Sequence, residues 1–435
     1  MGTILATMAL LLFGGLSLGI WVGLTLAMTG SLSLYIFKSI PVDLLVSQYA
    51  WNVMTTQELL ALPLFILMGE ILFRTRISSS LFQGLAPWAS LLPGKLLHSN
   101  VIGCSIFAAI SGSSAATTQV VGRVTLAELN RRNYDRRISM GSLAGAGTLG
   151  FLVPPSNILI VYGVLAQVSV LKLFAAGLVP AILLAVCFMT WIMIHTTWNK
   201  TLVPATEDAF ADMPWRERFM ALRHLAPVAF LIVAVLGSMY GGLVTPSEAA
   251  AVGVVGALGV AAVQRDLSLS KLKEIGLGAV MTCSMIALII LGASILGGAS
   301  AFLGVGQALA AFVHKLHLSP FTLLLVLFLC YLALGSFLEG YSIIVITLPI
   351  VLPMVLAAGF NAVWFGIFLV IVVETVQVHP PIGFNLFIIQ GITGAKLIEI
   401  TRATLPYLII LILFGVALIA FPEMALWLPN HIGMK

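Results

Sequence analysis

The chain has 435 residues, 60% of them hydrophobic and 9% charged, and its mean hydropathy is +1.12. Soluble domains carry about 25% charged residues, so a soluble globular protein is excluded; at about 20 apolar residues per crossing there is room for roughly a dozen membrane helices. The formal net charge of +5 lies in short loops, where the preference of basic residues for the cytoplasmic side accounts for it, so it implies no nucleic-acid partner.

In chain order, the opening stretch MGTILATMALLLFGG lacks a basic leader and a cleavage site and reads as a first membrane helix rather than a signal peptide. Candidate crossings follow over 3–37 (two helices broken near Gly19), 51–73, 138–171, 172–197, 225–242, 247–263, 275–296, 362–392 and 403–428. Basic punctuation falls in RRNYDRR (Arg131–Arg137), WRERFMALRH (Trp215–His224) and RDLSLSKLKE (Arg265–Glu274), with Arg74, Arg76 and Lys396 marking two more loops. All of these lie in the cytoplasm on one condition: segments 93–130 and 320–358 must each enter and leave the membrane on the same side. Each is too long for one helix and has a polar, glycine-containing midpoint, SGSSAAT at 111–117 and LGSFLEGYS at 334–342. Irregular backbone at membrane depth is tolerated only where protein buries it or it lines a cavity. The two segments are therefore predicted to be re-entrant helical hairpins with tips near the midplane.

Each hairpin is followed by a proline pair. Gly112 precedes Pro154 by 42 residues in LVPPSNILIVYG, and Gly335 precedes Pro380 by 45 in VHPPIGFNLFIIQG. A Pro-Pro pair removes two amide donors and ends the helix before it, which frees upstream carbonyls. The half-helix that restarts points bare amides and the positive end of its dipole at the gap. By this topology the first hairpin opens to the cytoplasm and the second to the opposite side. The fold class expected is thus an all-α polytopic membrane protein, an inverted-topology repeat with two re-entrant hairpins and two broken helices. In secondary transporters, broken helices at corresponding positions of the two halves mark the binding site. Hairpin tips supply carbonyls, amides and Ser or Thr oxygens suited to a hard cation, so one tip against one break is expected to build one ion site, twice. Small-residue patches also serve plain helix packing and proline kinks are common, but both features recurring at matched spacing in inverted halves favours sites over packing alone.

The expected organisation is scaffold helices over 1–76, an arm helix over 77–92, a first transport half over 93–198 (hairpin 93–130, broken helix 138–171) and a cytoplasmic linker over 199–224. The second half repeats this with scaffold helices over 225–298, an arm over 299–316, a transport half over 317–401 (hairpin 320–358, broken helix 362–392) and a C-terminal helix over 402–435. Acids at depth are functional candidates by default. Three roles fit Glu339: ion ligand, proton carrier, or cap for the restarting helix. Glu374 is either functional or a buried hydrogen-bonding partner. Glu70, beside Arg74, reads as structural, and RRNYDRR as a cytoplasmic anchor. Thr55-x-x-Glu58 and Thr245-Pro-x-Glu248 both have the capping-box pattern. Cys104, Cys187, Cys283 and Cys330 lack metal-ligand spacing and read as small core residues.

Together GCSIFAAISGSSAATTQVVG, RRNYDRR, GTLGFLVPPSNILIVYG, GLVTPSEAAAVGV, GSFLEGYSIIVITLPIVLPM, HPPIGFNLFIIQGI and PLFILMGEIL resemble the large membrane subunit of tripartite ATP-independent periplasmic (TRAP) transporters, in order along nearly the whole chain. The resemblance implies Na⁺-driven uptake of a small organic anion, such as a C4-dicarboxylate, keto acid or sugar acid, across the bacterial inner membrane. It implies delivery by a periplasmic binding protein, a small four-helix membrane subunit as a separate chain, and an elevator mechanism like that of the ion-transporter superfamily. No cofactor other than the coupling ion Na⁺, and no transition metal, is implied. Carried over residue by residue, the first Na⁺ site would use Ser111, Gly112, Ser113 and Ser114 with Gly150, Pro154 and Asn157. The second would use Gly335 and Glu339 with His379, Pro380 and Asn385; substrate would lie near Ser114, Thr117, Ser156 and Asn157. Two residues depart from the family pattern. His379 stands where the family usually has Thr, placing an imidazole at the second break, and Glu339 stands where Asp is common.

The alternative within transport is a related Na⁺/dicarboxylate symporter working without a binding protein. An intramembrane enzyme using Ser113 or Ser114 would need a base within reach; no His lies within ten residues of that tip, and His379 belongs to the other half. A channel fits two opposed, dead-ended hairpins less well than alternating access does.

Overall fold

Helices dominate because apolar stretches at membrane depth must satisfy their backbone internally. The computed structural model describes residues 1–38, 41–75, 77–204, 210, 213–315, 319–336, 338–381 and 383–432, with the side chains of 77–79, 310 and 312–314 left aside. Arg76, expected to mark a loop, lies outside the described residues. The first half runs α1 (Gly2–Ser17), α2 (Val22–Phe37), α3 (Val42–Met54), α4 (Ala61–Arg74), α5 (Ile77–Ala89), α6 (His98–Ser111), α7 (Ser114–Arg131), α8 (Arg136–Thr148), α9 (Asn157–Ala166) and α10 (Val170–Trp198). The second runs α11 (Trp215–Ala221), α12 (Ala226–Ile232), α13 (Ser238–Tyr240), α14 (Pro246–Val263), α15 (Leu269–Phe302), α16 (Val305–Lys315), α17 (Pro320–Gly335), α18 (Gly340–Ala357), α19 (Ala362–Val378), α20 (Phe384–Thr393), α21 (Leu397–Ala420) and α22 (Glu423–His431).

Short polar residues start many of these helices. Asp135 caps α8, accepting from the Arg137 and Ile138 amides, Asn361 caps α19, and Ser156 caps α9. Thr245 forms the expected capping box: its amide donates to Glu248 Oε2 at 2.8 Å and its hydroxyl faces the Glu248 amide at 3.4 Å. Thr55 does not. It ends α3 instead, its hydroxyl donating to the Trp51 carbonyl at 2.7 Å, because the chain bends by 55° between α3 and the 3₁₀ turn leading into α4. The single C-terminal helix expected is likewise two, α21 and α22, parted at Pro422. Among the described residues five helices are long and apolar enough to cross a membrane alone, and seven if each bent pair counts as one. Side chains such as Val255, Val280 and Met281 point outward, as lipid-facing positions do. Cys187 and Cys330 are exposed in the same way on α10 and α17; of the four cysteines only Cys104 is fully buried.

The two halves interlock by exchange. α2 packs on α15 while its counterpart α14 packs on α4; α8 packs on α21 while α19 packs on α10; α9 packs on α18 while α20 packs on α7. Each element thus meets the counterpart of its own partner, the signature of a pseudo-two-fold axis relating inverted repeats. The α2–α15 seam is close because it is glycine on both sides: a Cβ on Gly292 would sit 2.1 Å from the Gly23 carbonyl, and one on Gly23 would sit 2.5 Å from the Leu288 carbonyl. Arg74 pins α4 to α15, pairing with Glu70 at 2.9 Å and Glu274 at 3.1 Å. In the linker, α11 docks on the first arm. Arg218 is buried, with its guanidinium on the Pro87 and Phe210 carbonyls, and Trp88 stacks edge-on against Trp215 and Phe219.

The exchange is uneven in one place. α9 packs on α4 and α15, and α18 on α15 and α16. Their counterparts α20 and α7 make no comparable contact with α2, α4, α14 or α15 among the described residues. On the side of RRNYDRR these two helices flank an open cleft instead.

Replacing Gly292 with Leu would force a branched side chain into backbone across the α2–α15 seam. The expected loss is about 1–3 kcal/mol of stability, read as a lower unfolding temperature in detergent, whereas Gly276→Leu on the same helix, where a Cβ meets open space, leaves it unchanged.

Candidate functional site

The first tip is the turn between α6 and α7. Gly112 ends α6 in the left-handed region (φ +58°), a conformation glycine adopts without strain. A Cβ there would also lie 2.6 Å from the Pro155 carbonyl, so the tip and the break touch backbone to backbone. Ser113 is the N-cap of α7, its hydroxyl facing the Ala116 amide at 3.4 Å. Opposite, α8 ends in a 3₁₀ turn at Leu149–Phe151 and the chain restarts as α9 at Asn157. The Pro154–Pro155 bond is cis, as is Pro380–Pro381 in the second half.

Hydrogen bonds close this junction. The Asn157 amide donates to the Gly112 carbonyl at 3.2 Å, and its Nδ2 donates to the Ser111 carbonyl at 3.3 Å. The Ser111 and Thr117 hydroxyls pair at 3.0 Å. Ser114 donates to the Gly147 carbonyl at 3.0 Å, and a Cβ on Gly150 would lie 2.5 Å from Ser114 Cα. Ser156 donates to the Phe151 carbonyl. Ser114, Thr117, Ser156 and Asn157 are all buried within this network, while Ser113, Ala115 and Gln119 keep partial exposure at its edge. Three oxygens of this junction are buried without a hydrogen-bond partner among the described residues: Asn157 Oδ1, Asn385 Oδ1 and Thr118 Oγ1.

Asn385 departs from the expected grouping. It lies just past the second break, yet its Nδ2 donates to Ser114 Oγ of the first tip at 2.9 Å. A reciprocal contact runs the other way, where Phe151 of the first break meets Tyr341 of the second hairpin edge-on at 5.6 Å. Each break therefore reaches the opposite hairpin. The packing of α20 on α7 and α9 on α18 carries these residues across, and neither crossing is visible in linear spacing.

Among the described residues, the second tip and break share fewer hydrogen bonds than the first. Gly335 ends α17 against Val376, where a Cβ would lie 2.3 Å from the valine side chain. Glu339 occupies the N-cap position of α18 with an exposed side chain, and the backbone amides of Tyr341 and Ser342 lie beside its carboxylate. His379 and Pro380 are half-buried, and His379 Nδ1 has no partner. Glu374 is fully buried in α19; neither carboxylate oxygen meets a partner of ordinary geometry, and the backbone beside it belongs to Leu152 in the first break. Among the described residues no three His, Cys, Asp or Glu side chains group as a metal site. Gly147 and Thr118 were not singled out from sequence, although the run GSLAGAG and the hydroxyl after Thr117 were the available signals.

RRNYDRR does more than anchor. Arg131 and Arg132 both pair with Glu128 at 2.7 Å, and Arg136 donates to the Thr393 carbonyl at the end of α20 at 2.6 Å, tying the first loop to the second half.

A family described as "Tripartite ATP-independent periplasmic transporter, DctM component" matches residues 5–424. The chain belongs to this family. It is 34% identical over 415 residues to the C4-dicarboxylate TRAP transporter large permease protein DctM of Pseudomonas aeruginosa, covering 94% of this chain and 95% of that one. It is 31% identical over 401 residues to the isethionate TRAP transporter permease protein DctMQ of Oleidesulfovibrio alaskensis, covering 91% of this chain and 62% of that one. The fold is shared with the solved YdaH transporter of Alcanivorax borkumensis, at a TM-score of 0.63 and 14% identity over 91% of each chain. This chain is accordingly a multi-pass inner-membrane permease component of a tripartite transporter. As its relatives are permeases, the serine-nucleophile reading falls away.

Asn385→Ala should leave Ser114 short of a buried donor, costing about 1–3 kcal/mol, and loosen the tip from α20. Hydrogen exchange is the measurement: amides of 111–117 should exchange faster than in the wild type, with those of α2 and α15 unchanged.

Proposed function

We propose that this DctM chain carries out Na⁺-coupled uptake of a small carboxylate, of the C4-dicarboxylate class, with substrate delivered by a periplasmic binding protein and a small membrane subunit completing the permease. The single observation that supports ion coupling is the first junction. Two carboxamide oxygens, Asn157 Oδ1 and Asn385 Oδ1, and the Thr118 hydroxyl are buried and unpartnered around one hairpin tip. Their nitrogens are held elsewhere, on Ser111 and Ser114, which turns the oxygens loose for a cation. Buried polar atoms are normally satisfied, and an alkali cation takes neutral oxygen ligands of this hard type. In the proposed mechanism, Na⁺ at this junction coordinates the orphaned oxygens and locks α7, α9 and α20 together, so the substrate-loaded unit moves as one body. The 34% identity to a C4-dicarboxylate permease supports the substrate class.

The uneven packing supports an elevator. α9 and α18 rest on α4 and α15 while α7 and α20 do not, which is what an inverted repeat displaced toward the cytoplasm would give. Movement to the other state exchanges these contacts, with the hairpins and broken helices travelling as the transport unit against the remaining helices. The second ion site, at Gly335, Glu339 and the 379–385 break, is proposed with Glu339 as the anionic ligand. Its openness fits an ion that leaves first.

The test is succinate uptake into proteoliposomes holding the full complex and its binding protein. Uptake is expected to require an inward Na⁺ gradient; equal uptake with K⁺ alone, or full uptake without the binding protein, overturns the respective part. Asn157→Ala is expected to raise the half-saturating Na⁺ concentration by about tenfold, equivalent to ~1.4 kcal/mol. Glu339→Ala should lower the steepness of Na⁺ activation, and wild-type Na⁺ curves in both variants sink the site assignment.

A further inference from the structure

We propose that Arg123 is an anion subsite on the cytoplasmic release path, taking the carboxylate of a substrate once it leaves the tip; this rests on the transport reading above. The cleft beside α7 and α20 has a volume of about 1030 Å³ and runs from Ala115, next to the tip, to Asn130 and Arg136 at the loop. One stripe of α7 faces it: Ala115, Gln119, Arg123, Ala127 and Asn130, spaced by three or four residues. The opposite wall is apolar, with Phe384, Ile388 and Ile392 of α20.

Arg123 is the ninth residue past Ser114 and the eighth before the end of α7 at Arg131. At 1.5 Å per residue it stands about 13 Å from the tip and about 12 Å from the helix end. A guanidinium that deep is costly against lipid and belongs in a watered cavity. It is exposed, and it makes no ion pair or hydrogen bond among the described residues. Several of the other charges nearby are already engaged. Arg136 holds the Thr393 carbonyl, Glu128 holds Arg131 and Arg132, and Asp135 caps α8. Among the described residues no Asp or Glu lines the cleft. Arg123 thus offers a planar, bidentate cation with no partner among the described residues, on the same stripe as the Gln119 and Asn130 carboxamides. The apolar wall of α20 accommodates a short carbon chain. The subsite draws a carboxylate out of the tip without the Na⁺ ligands taking part.

The test uses the full complex in inside-out vesicles, with the four native cysteines replaced by Ala and Ala127→Cys introduced one turn from Arg123. The probes are a sulfonate-bearing and a neutral methanethiosulfonate reagent. The sulfonate reagent is expected to react about tenfold faster, relative to the neutral one, than it does with a free thiol. Arg123→Gln should abolish that preference, Arg123→Lys should keep most of it, and succinate should slow the sulfonate reagent only when Arg123 is present. Equal preference in the wild type and Arg123→Gln overturns the proposal, as does an Ala127→Cys unreactive to both reagents, which would place another subunit over the stripe. Labelling needs no transport, so a complex that fails to take up succinate sinks the transport reading separately. In complexes that do transport, Arg123→Gln should weaken the apparent affinity for internal succinate in counterflow by about tenfold and leave the half-saturating Na⁺ concentration unmoved.

Discussion

Everything at the centre of this protein depends on one constraint: backbone that leaves its helix inside a membrane must find hydrogen-bond partners in the protein itself. The first junction meets it almost completely. Breaking α8 at Pro154 strands carbonyls and exposes the amides that begin α9, and ending α6 at Gly112 strands others. Setting the two ends against each other lets the Asn157 amide answer the Gly112 carbonyl and its side chain answer Ser111. Gly112 and Gly150 are the residues that allow such an approach, since any Cβ would strike backbone. The arrangement is rigid because each group's partner lies on a different helix.

The same constraint explains what is left over. Once Asn157 and Asn385 have donated, their oxygens have no protein group to turn to, and the proposed cation is the natural occupant. In the second half, the described residues of the tip pack through Gly335 on Val376 and none donates a hydrogen bond across to the described residues of the break; Glu339 is exposed at the N-cap of α18 and His379 is half-buried. Two junctions alike in sequence pattern thus differ in the hydrogen bonds their described residues make.

Much of this was legible in the sequence. The hairpins, both breaks, the Thr245 capping box and the Glu70–Arg74 pair follow from periodicity, proline pairs and charge placement, all of which act over a few residues. The misses share a physical origin. Thr55 matches a capping box by spacing, but the backbone bends there and the hydroxyl turns back to Trp51. Cys187 and Cys330 are apolar enough for a core, yet a membrane protein has an apolar exterior as well, so hydropathy does not distinguish inside from outside. Asn385 was grouped with its own half because linear spacing carries no information about which hairpin α20 crosses.

The sequence by itself determined that this chain spans a membrane, that it repeats with inverted topology, and where its helices break, because those properties are set by local energetics of apolar surface and missing amides. Only the tertiary structure decided that the halves trade contacts: Asn385 completes the first tip, Phe151 reaches the second hairpin, and Arg123 faces a cleft. These depend on packing between elements up to 271 residues apart, where side-chain shape and the pseudo-two-fold arrangement, rather than local propensity, choose the partner; that no described residue pairs with Arg123 is likewise a matter of packing.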